Sequence, residues 1–103
     1  NGSIYRNFLY VTDHANANVL SLCKEAENKI INIDGNERIT LNQIAATIEN
    51  LHGNIKVKYT DKRAGDYKGK NVSNNRSKKL LNWQPKVNFR MGSKLLYEYL
   101  KNI

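Results

Sequence analysis

Few of the residues that build catalytic or metal centres occur in this sequence. It has one cysteine and two histidines, so neither an intrachain disulfide nor a cysteine and histidine zinc cluster can form. Cys23 follows Val19-Leu20-Ser21-Leu22, a setting that favours a small buried apolar side chain over a nucleophile. We therefore predict no metal site and no catalytic residue within this chain.

Long apolar runs and glycine-rich loops are also missing. No stretch approaches the roughly 18 apolar residues that cross a bilayer, and the N-terminus lacks a signal-peptide pattern. There is no glycine loop of the dinucleotide or P-loop type and no serine nucleophile elbow. These absences predict a cytoplasmic protein without membrane contact and without an active site of its own.

What is present is an ordinary globular composition with a strong positive charge. Hydrophobic residues make up 40% of the 103 residues and charged residues 25%, which suits one domain with a modest core. The net charge of +8 favours phosphate-bearing ligands or other polyanions as partners. The alternative is that the abundant Lys and Asn reflect the amino-acid composition bias of the source genome. The chain begins at Asn1 without methionine, so we expect a segment of a longer protein.

The first third of the chain predicts two strands around a helix. Residues 4–11 carry aromatic and branched side chains typical of a strand. Asp13 is predicted to cap a helix through about Ala26, on which apolar residues recur at three- and four-residue spacing. Residues 30–33 are a second strand candidate, ended by the turn signal Asp34-Gly35-Asn36.

The middle of the chain contains the strongest helix signal. Thr40 and Gln43 form a capping box, and the apolar pattern that follows predicts an amphipathic helix that stops at Gly53. Residues 55–59 alternate as in a half-buried strand, with Ile55, Val57 and Tyr59 inward.

The last part predicts a loop followed by two helices. Residues 60–72 form the loop, and Ser73 is a candidate cap for a short helix that Pro85 cannot continue. A final helix is predicted over residues 89–100, with Leu95, Leu96, Tyr99 and Leu100 packed inward. About three short strands and four helices thus indicate an α/β or α+β fold.

Two arginines and one carboxylate are the best candidates for ligand binding. Arg6 lies between aromatic residues on a predicted strand, and its planar guanidinium suits phosphate oxygens. Arg63 and Asp66 lie three positions apart in the predicted loop, so both can face one ligand. The alternative is that these are surface ion pairs, with Arg63 and Asp66 paired to each other in solvent.

Three segments in this order resemble a known enzyme family. They are YRNFLYVTD at residues 5–13, RAGD at residues 63–66 and LNWQP at residues 81–85. The chain resembles the C-terminal, substrate-binding part of NAD-dependent nucleotide-sugar epimerases and dehydratases, which are extended short-chain dehydrogenases. The resemblance implies a small α+β lobe that packs beside a Rossmann domain located upstream of residue 1.

The same resemblance implies a role for particular residues. Arg6 and Arg63 would bind the diphosphate of a nucleoside diphosphate sugar, Asp66 the ribose, and Leu41 the nucleobase. The family binds NAD and holds its catalytic Tyr-Lys pair in the other domain, and the intact enzyme is expected to be a homodimer. Trp83 and Pro85 match structural landmarks of the family.

Three positions depart from the usual family pattern. Asn7 replaces the acidic residue that normally follows the arginine, which can change how Arg6 is oriented. Ala64 replaces a proline, and Asn82 replaces the glycine before the tryptophan. The last change matters if the backbone needs a positive φ there, which Asn tolerates.

The sequence leaves several functions open. The nearest group is the UDP-glucose 4-epimerases, and dTDP-glucose 4,6-dehydratases are the alternative within the family. A basic nucleic-acid-binding module is the alternative from another class, although no helix-turn-helix, RNP or zinc-finger pattern is present. An interaction or oligomerisation domain is a third possibility.

Overall fold

The computed structural model describes residues 2–103, which contain four α-helices and a two-stranded antiparallel sheet joined by long irregular segments. In chain order the elements are β1 (Tyr5–Asn7), α1 (Val11–Leu20), a 3₁₀ turn (Lys24–Ala26), β2 (Arg38–Thr40), α2 (Leu41–His52), α3 (Asn75–Leu81) and α4 (Phe89–Lys101). Tyr5 pairs with Thr40 and Asn7 with Arg38 across the sheet. The predicted α/β class with four helices is confirmed.

Two of the predicted strands are wrong. Residues 30–33 and 55–59 do not join the sheet, which consists of β1 and β2 in the described part of the chain. Val57 and Tyr59, expected inward, are exposed. Alternation of apolar and polar residues predicts extended backbone, but a β-strand also needs a neighbouring strand with which to form backbone hydrogen bonds. Among residues 2–103 no such strand lies beside these segments.

The predicted cap at Asp13 is also wrong. Helix α1 begins at Val11 after Tyr10 and ends at Leu20, short of the predicted Ala26. Asp13 therefore lies inside the first turn, where it is only 4% exposed. Its Oδ2 atom accepts hydrogen bonds from the backbone N–H groups of Lys86 (3.0 Å) and Val87 (2.9 Å). The carboxylate thus stabilises a distant chain reversal instead of its own helix end.

Helix α2 follows the sequence prediction closely. The Thr40 hydroxyl accepts from the Gln43 N–H (3.2 Å), and the Gln43 side chain accepts from the Thr40 N–H (2.8 Å). The helix stops at His52, and Gly53 takes a φ of +73°. The capping box places Leu41 at the first position of the helix.

The C-terminal elements match the prediction with small shifts. Residues 60–72 form a loop, and α3 begins at Asn75, with Asn74 and not Ser73 at the N-cap. The Ser73 hydroxyl still accepts from the Asn75 N–H (3.2 Å). Asn82 has a φ of +51°, so the position does need the left-handed conformation that Asn tolerates.

The core is small and centres on Trp83. This side chain is 1% exposed and packs with Ala17 and Leu81. Its indole N–H donates to the carbonyl of Asp13 (3.0 Å). Cys23 packs against this cluster, as expected of a small apolar residue. The core therefore joins α1 to the segment after α3.

The apolar face of α4 is not buried, contrary to the prediction. Leu95, Leu96, Tyr99 and Leu100 are all exposed. Helical periodicity indicates which face is apolar but not what covers it. The first three of these residues line an open apolar groove of about 480 Å³. Its other apolar side chains are those of Phe8, Leu9, Tyr10, Val11, Val87 and Phe89.

Candidate functional site

Three of the four predicted site residues line one open cleft. Arg63, Asp66 and Leu41 lie around a space of about 290 Å³ between the N-terminus of α2 and the loop over residues 60–72. The capping box positions Leu41, and the loop positions the other two. We call this space the α2 cleft; its wall also includes Ile4, Asn42, Ala45, Val57, Lys58, Tyr59 and Lys62.

Within the cleft, Arg63 and Asp66 form an ion pair with each other. The Arg63 Nη2 atom lies 3.4 Å from Asp66 Oδ1, and the Arg63 backbone N–H donates to Asp66 Oδ2 (3.2 Å). The Arg63 side chain is 87% exposed and that of Asp66 is 21% exposed. An ion pair this open to solvent contributes little to stability, so a ligand can replace it at small cost.

The surroundings of Asp66 favour its ionised form. Desolvation by itself would raise its pKa, but hydrogen bonds from Arg63 and the positive charges of Arg63 and Arg6 together lower the pKa below the usual 3.8. A lowered pKa means that the carboxylate stays charged at neutral and mildly acidic pH. Asp66 therefore acts as a hydrogen-bond acceptor throughout the physiological range.

This electrostatic arrangement predicts a specific titration. Monitored by carboxyl ¹³C NMR, Asp66 should titrate with a midpoint below that of an ordinary aspartate, and Arg63→Ala should raise the midpoint. The stabilisation linked to this shift is complete above the unfolded-state pKa and is lost as the pH falls through the lower folded-state value. Lys79→Ala, which removes a surface charge on α3, should leave the midpoint unchanged. A midpoint insensitive to Arg63→Ala would contradict the pairing.

Arg6, the fourth predicted residue, is outside the wall of the cleft. Its Nη1 atom donates to the carbonyls of Tyr5 (2.7 Å) and Tyr67 (3.0 Å). Its guanidinium carbon lies 4.0 Å from the centre of the Tyr67 ring. Because Tyr67 directly follows Asp66, Arg6 contacts the sequence neighbour of a cleft residue, and its charge acts on the Asp66 carboxylate.

Sequence reasoning missed two contributors to this region. Tyr67 contacts Arg6, and the only signal for it was an aromatic residue beside the RAGD segment. Tyr59 donates its hydroxyl proton to the Asn42 side-chain oxygen (2.8 Å), which closes one side of the cleft. That contact joins α2 to a segment that the alternation pattern had placed in a strand.

Comparison with known proteins places the chain among its relatives. No protein-family model matches the sequence. Over 102 residues the chain is 33% identical to UDP-glucuronate 4-epimerase from Thermodesulfobacterium geofontis, covering 97% of the chain and 31% of that enzyme. It also superposes on the crystal structure of UDP-glucose 4-epimerase with UDP-glucose from Thermotoga maritima, with a TM-score of 0.90 and 29% identity. This chain is a relative of the NAD-dependent nucleotide-sugar epimerases.

Other relatives broaden the set of activities without changing the family. The crystal structure of UDP-glucuronic acid 4-epimerase from Bacillus cereus in complex with NAD superposes with a TM-score of 0.84 and 26% identity, covering 99% of this chain and 33% of that chain. The chain is 28% identical over 98 residues to UDP-glucuronic acid decarboxylase 3 from Arabidopsis thaliana. The chain spans about a third of the length of these relatives. The family resemblance predicted from the sequence is confirmed.

Proposed function

We propose that this chain is the nucleotide-sugar-binding lobe of a longer NAD-dependent epimerase, similar to the UDP-sugar 4-epimerases. The observation that carries this proposal is the meeting of Arg63, Asp66 and Leu41 in the α2 cleft. These are the residues to which the family resemblance assigns the diphosphate, the ribose and the nucleobase. A relative with the same fold is named for its complex with UDP-glucose.

The chemistry of the cleft suits a nucleoside diphosphate. In this proposal the exposed Arg63 guanidinium leaves Asp66 and binds phosphate oxygens through two of its donors. Asp66, charged at neutral pH, then accepts hydrogen bonds from ribose hydroxyls. Leu41 offers an apolar surface for the base. The cleft wall also carries Lys58 and Lys62, which outnumber the further carboxylate of Asp61. Together with the net charge of +8, they raise the local concentration of an anionic ligand.

In this proposal, the chain contributes binding and orientation. Its sequence has no glycine-rich dinucleotide loop, so the described residues do not fit NAD, which we place in another domain of the longer protein. Bound NAD would supply the hydride acceptor. Interactions with the diphosphate would hold the attached sugar in the reactive position. Positioning of this kind lowers the activation free energy of the reaction by several kcal/mol.

The cellular location and the oligomeric state of the protein are also part of this proposal. Among residues 2–103 no helix is long and apolar enough to cross a membrane. The cytoplasmic location and the homodimer expected from the sequence stay predictions. Cell fractionation and sedimentation of the full-length protein would check them.

Nucleotide titration of the full-length protein tests the proposed function. Isothermal titration with UDP, dTDP and GDP should show preferred binding of one pyrimidine nucleotide. A preference for UDP supports a UDP-sugar enzyme, and one for dTDP favours the dehydratase alternative. Arg63→Ala should weaken this binding at least tenfold, because charge-assisted hydrogen bonds to phosphate are lost. Lys79→Ala removes the same charge from α3 and should change the affinity less than twofold.

Two results would contradict the proposal. One is an unchanged affinity in Arg63→Ala. The other is the absence of nucleotide binding combined with micromolar, steeply salt-dependent binding to mixed DNA or RNA, which would favour the nucleic-acid alternative.

A further inference from the structure

Tyr67 and Tyr5 together hold the guanidinium group of Arg6 through three contacts, two of them from Tyr67. Its ring centre lies 4.0 Å from the guanidinium carbon of Arg6, a distance typical of stacked cation–π pairs. Its carbonyl and that of Tyr5 both accept from the same Nη1 atom. A planar cation fixed by one ring face and two carbonyls has little freedom to rotate.

The hydrogen bonds of Arg6 leave part of its donor set available. The Nη1 atom is engaged by the two carbonyls, whereas Nε and Nη2 donate to no acceptor among residues 2–103. Tyr67 is 46% exposed, so the stacked pair lies at the surface, next to Asp66. The remaining donors are therefore available to an anion at the edge of the α2 cleft.

Backbone contacts keep the loop beside β1 independently of the Tyr67 ring. The Tyr5 N–H donates to the Lys68 carbonyl (2.7 Å). Gly69, at a φ of +154°, packs against the Tyr5 ring so closely that a Cβ atom would overlap it. Substitution of the Tyr67 side chain can thus remove the stacking while these contacts stay in place.

We propose that Tyr67 is a positioning residue for nucleotide-sugar binding, acting through Arg6. This inference rests on the proposed function. Asn7 stands where the family usually has an acidic residue, and its amide N–H donates to the Lys70 carbonyl (3.4 Å). Arg6 donates to the carbonyls of Tyr5 and Tyr67 and not to the Asn7 side-chain oxygen. The orientation of Arg6 is instead supplied by Tyr67, which also ties β1 to the loop that carries Arg63 and Asp66.

A double-mutant cycle on the full-length protein tests this role. UDP affinity would be measured for the wild type, Tyr67→Phe, Tyr67→Leu, Arg6→Ala and the Arg6→Ala/Tyr67→Leu double variant. Tyr67→Phe keeps the ring face and should stay within twofold of the wild type. Tyr67→Leu should weaken binding about fivefold, because Arg6 loses the ring face that fixes its plane and keeps only its two carbonyl acceptors. In the Arg6→Ala background the same change should have no further effect.

The outcomes separate this inference from the function on which it rests. Equal losses from Tyr67→Leu with and without Arg6 would overturn it, as would a Tyr67→Phe loss as large as that of Tyr67→Leu. If Arg63→Ala weakens UDP binding and Tyr67→Leu does not, the positioning role alone fails. If the wild type does not bind UDP, or Arg63→Ala binds it normally, the proposed function fails as well.

Discussion

Replacing Trp83 with alanine is expected to lower the free energy of unfolding by about 3–5 kcal/mol, the usual cost of deleting a buried aromatic side chain. Trp83 is 1% exposed, and its N–H donates to the Asp13 carbonyl. The core cluster around it contains the buried Ala17 and Leu81, with partly buried apolar residues packed against them, and such surroundings fill a cavity only in part. Because folded domains have about 5–15 kcal/mol of stability, much of the fold is at risk.

Urea denaturation followed by far-UV circular dichroism would measure this loss, since Trp83 is the single tryptophan of these 103 residues and its fluorescence is lost in the variant. Trp83→Phe keeps an aromatic ring and should lose less. Val19→Ala shortens an exposed side chain on α1 and should change stability by less than about 0.5 kcal/mol. A loss below about 1 kcal/mol in Trp83→Ala would show that the core is centred elsewhere.

The second large effect is expected from Asp13→Ala. This change removes the carboxylate that accepts hydrogen bonds from the backbone N–H groups of Lys86 and Val87. These partly buried N–H groups then have no protein acceptor. Hydrogen bonds to a charged group contribute about 1.5–3 kcal/mol each. Since water can reach part of this site, we expect a total loss of about 2–4 kcal/mol by urea denaturation.

Amide hydrogen exchange locates this effect along the chain. The Lys86 and Val87 amides should lose more protection than the rest of the protein in Asp13→Ala. Asp13→Asn, which keeps one side-chain oxygen, should be milder. His14→Ala changes the exposed neighbour on the same helix and serves as the control. Unchanged exchange at Lys86 and Val87 would argue against the proposed role of the carboxylate.

Local features of the fold were predictable because a few neighbouring residues produce them. The capping box needs Thr40 and Gln43, only three positions apart, and the end of α2 needs the conformational freedom of Gly53. Asn82 was expected to accept a positive φ if required, and it does. In each case the deciding hydrogen bond or backbone preference lies within one helical turn.

Features that depend on distant parts of the chain were predicted less well. Asp13 was predicted to be a helix cap from its neighbouring residues. Its actual hydrogen-bond partners are more than 70 positions away, where a local pattern cannot reveal them. Residues 55–59 have the alternation of a strand, but β1 pairs with β2 instead. The apolar face of α4 was recognised, but its exposure was not.

The candidate site shows the same division. The sequence alone identified the three family segments and the chemical types of Arg6, Arg63, Asp66 and Leu41. Only the tertiary structure brought the last three of these residues into one cleft and placed Arg6 against Tyr67, 61 positions away. Residue type and local backbone preference are properties of the sequence, whereas a shared cleft and a stacked ring result from the packing of distant segments, which a local pattern does not encode.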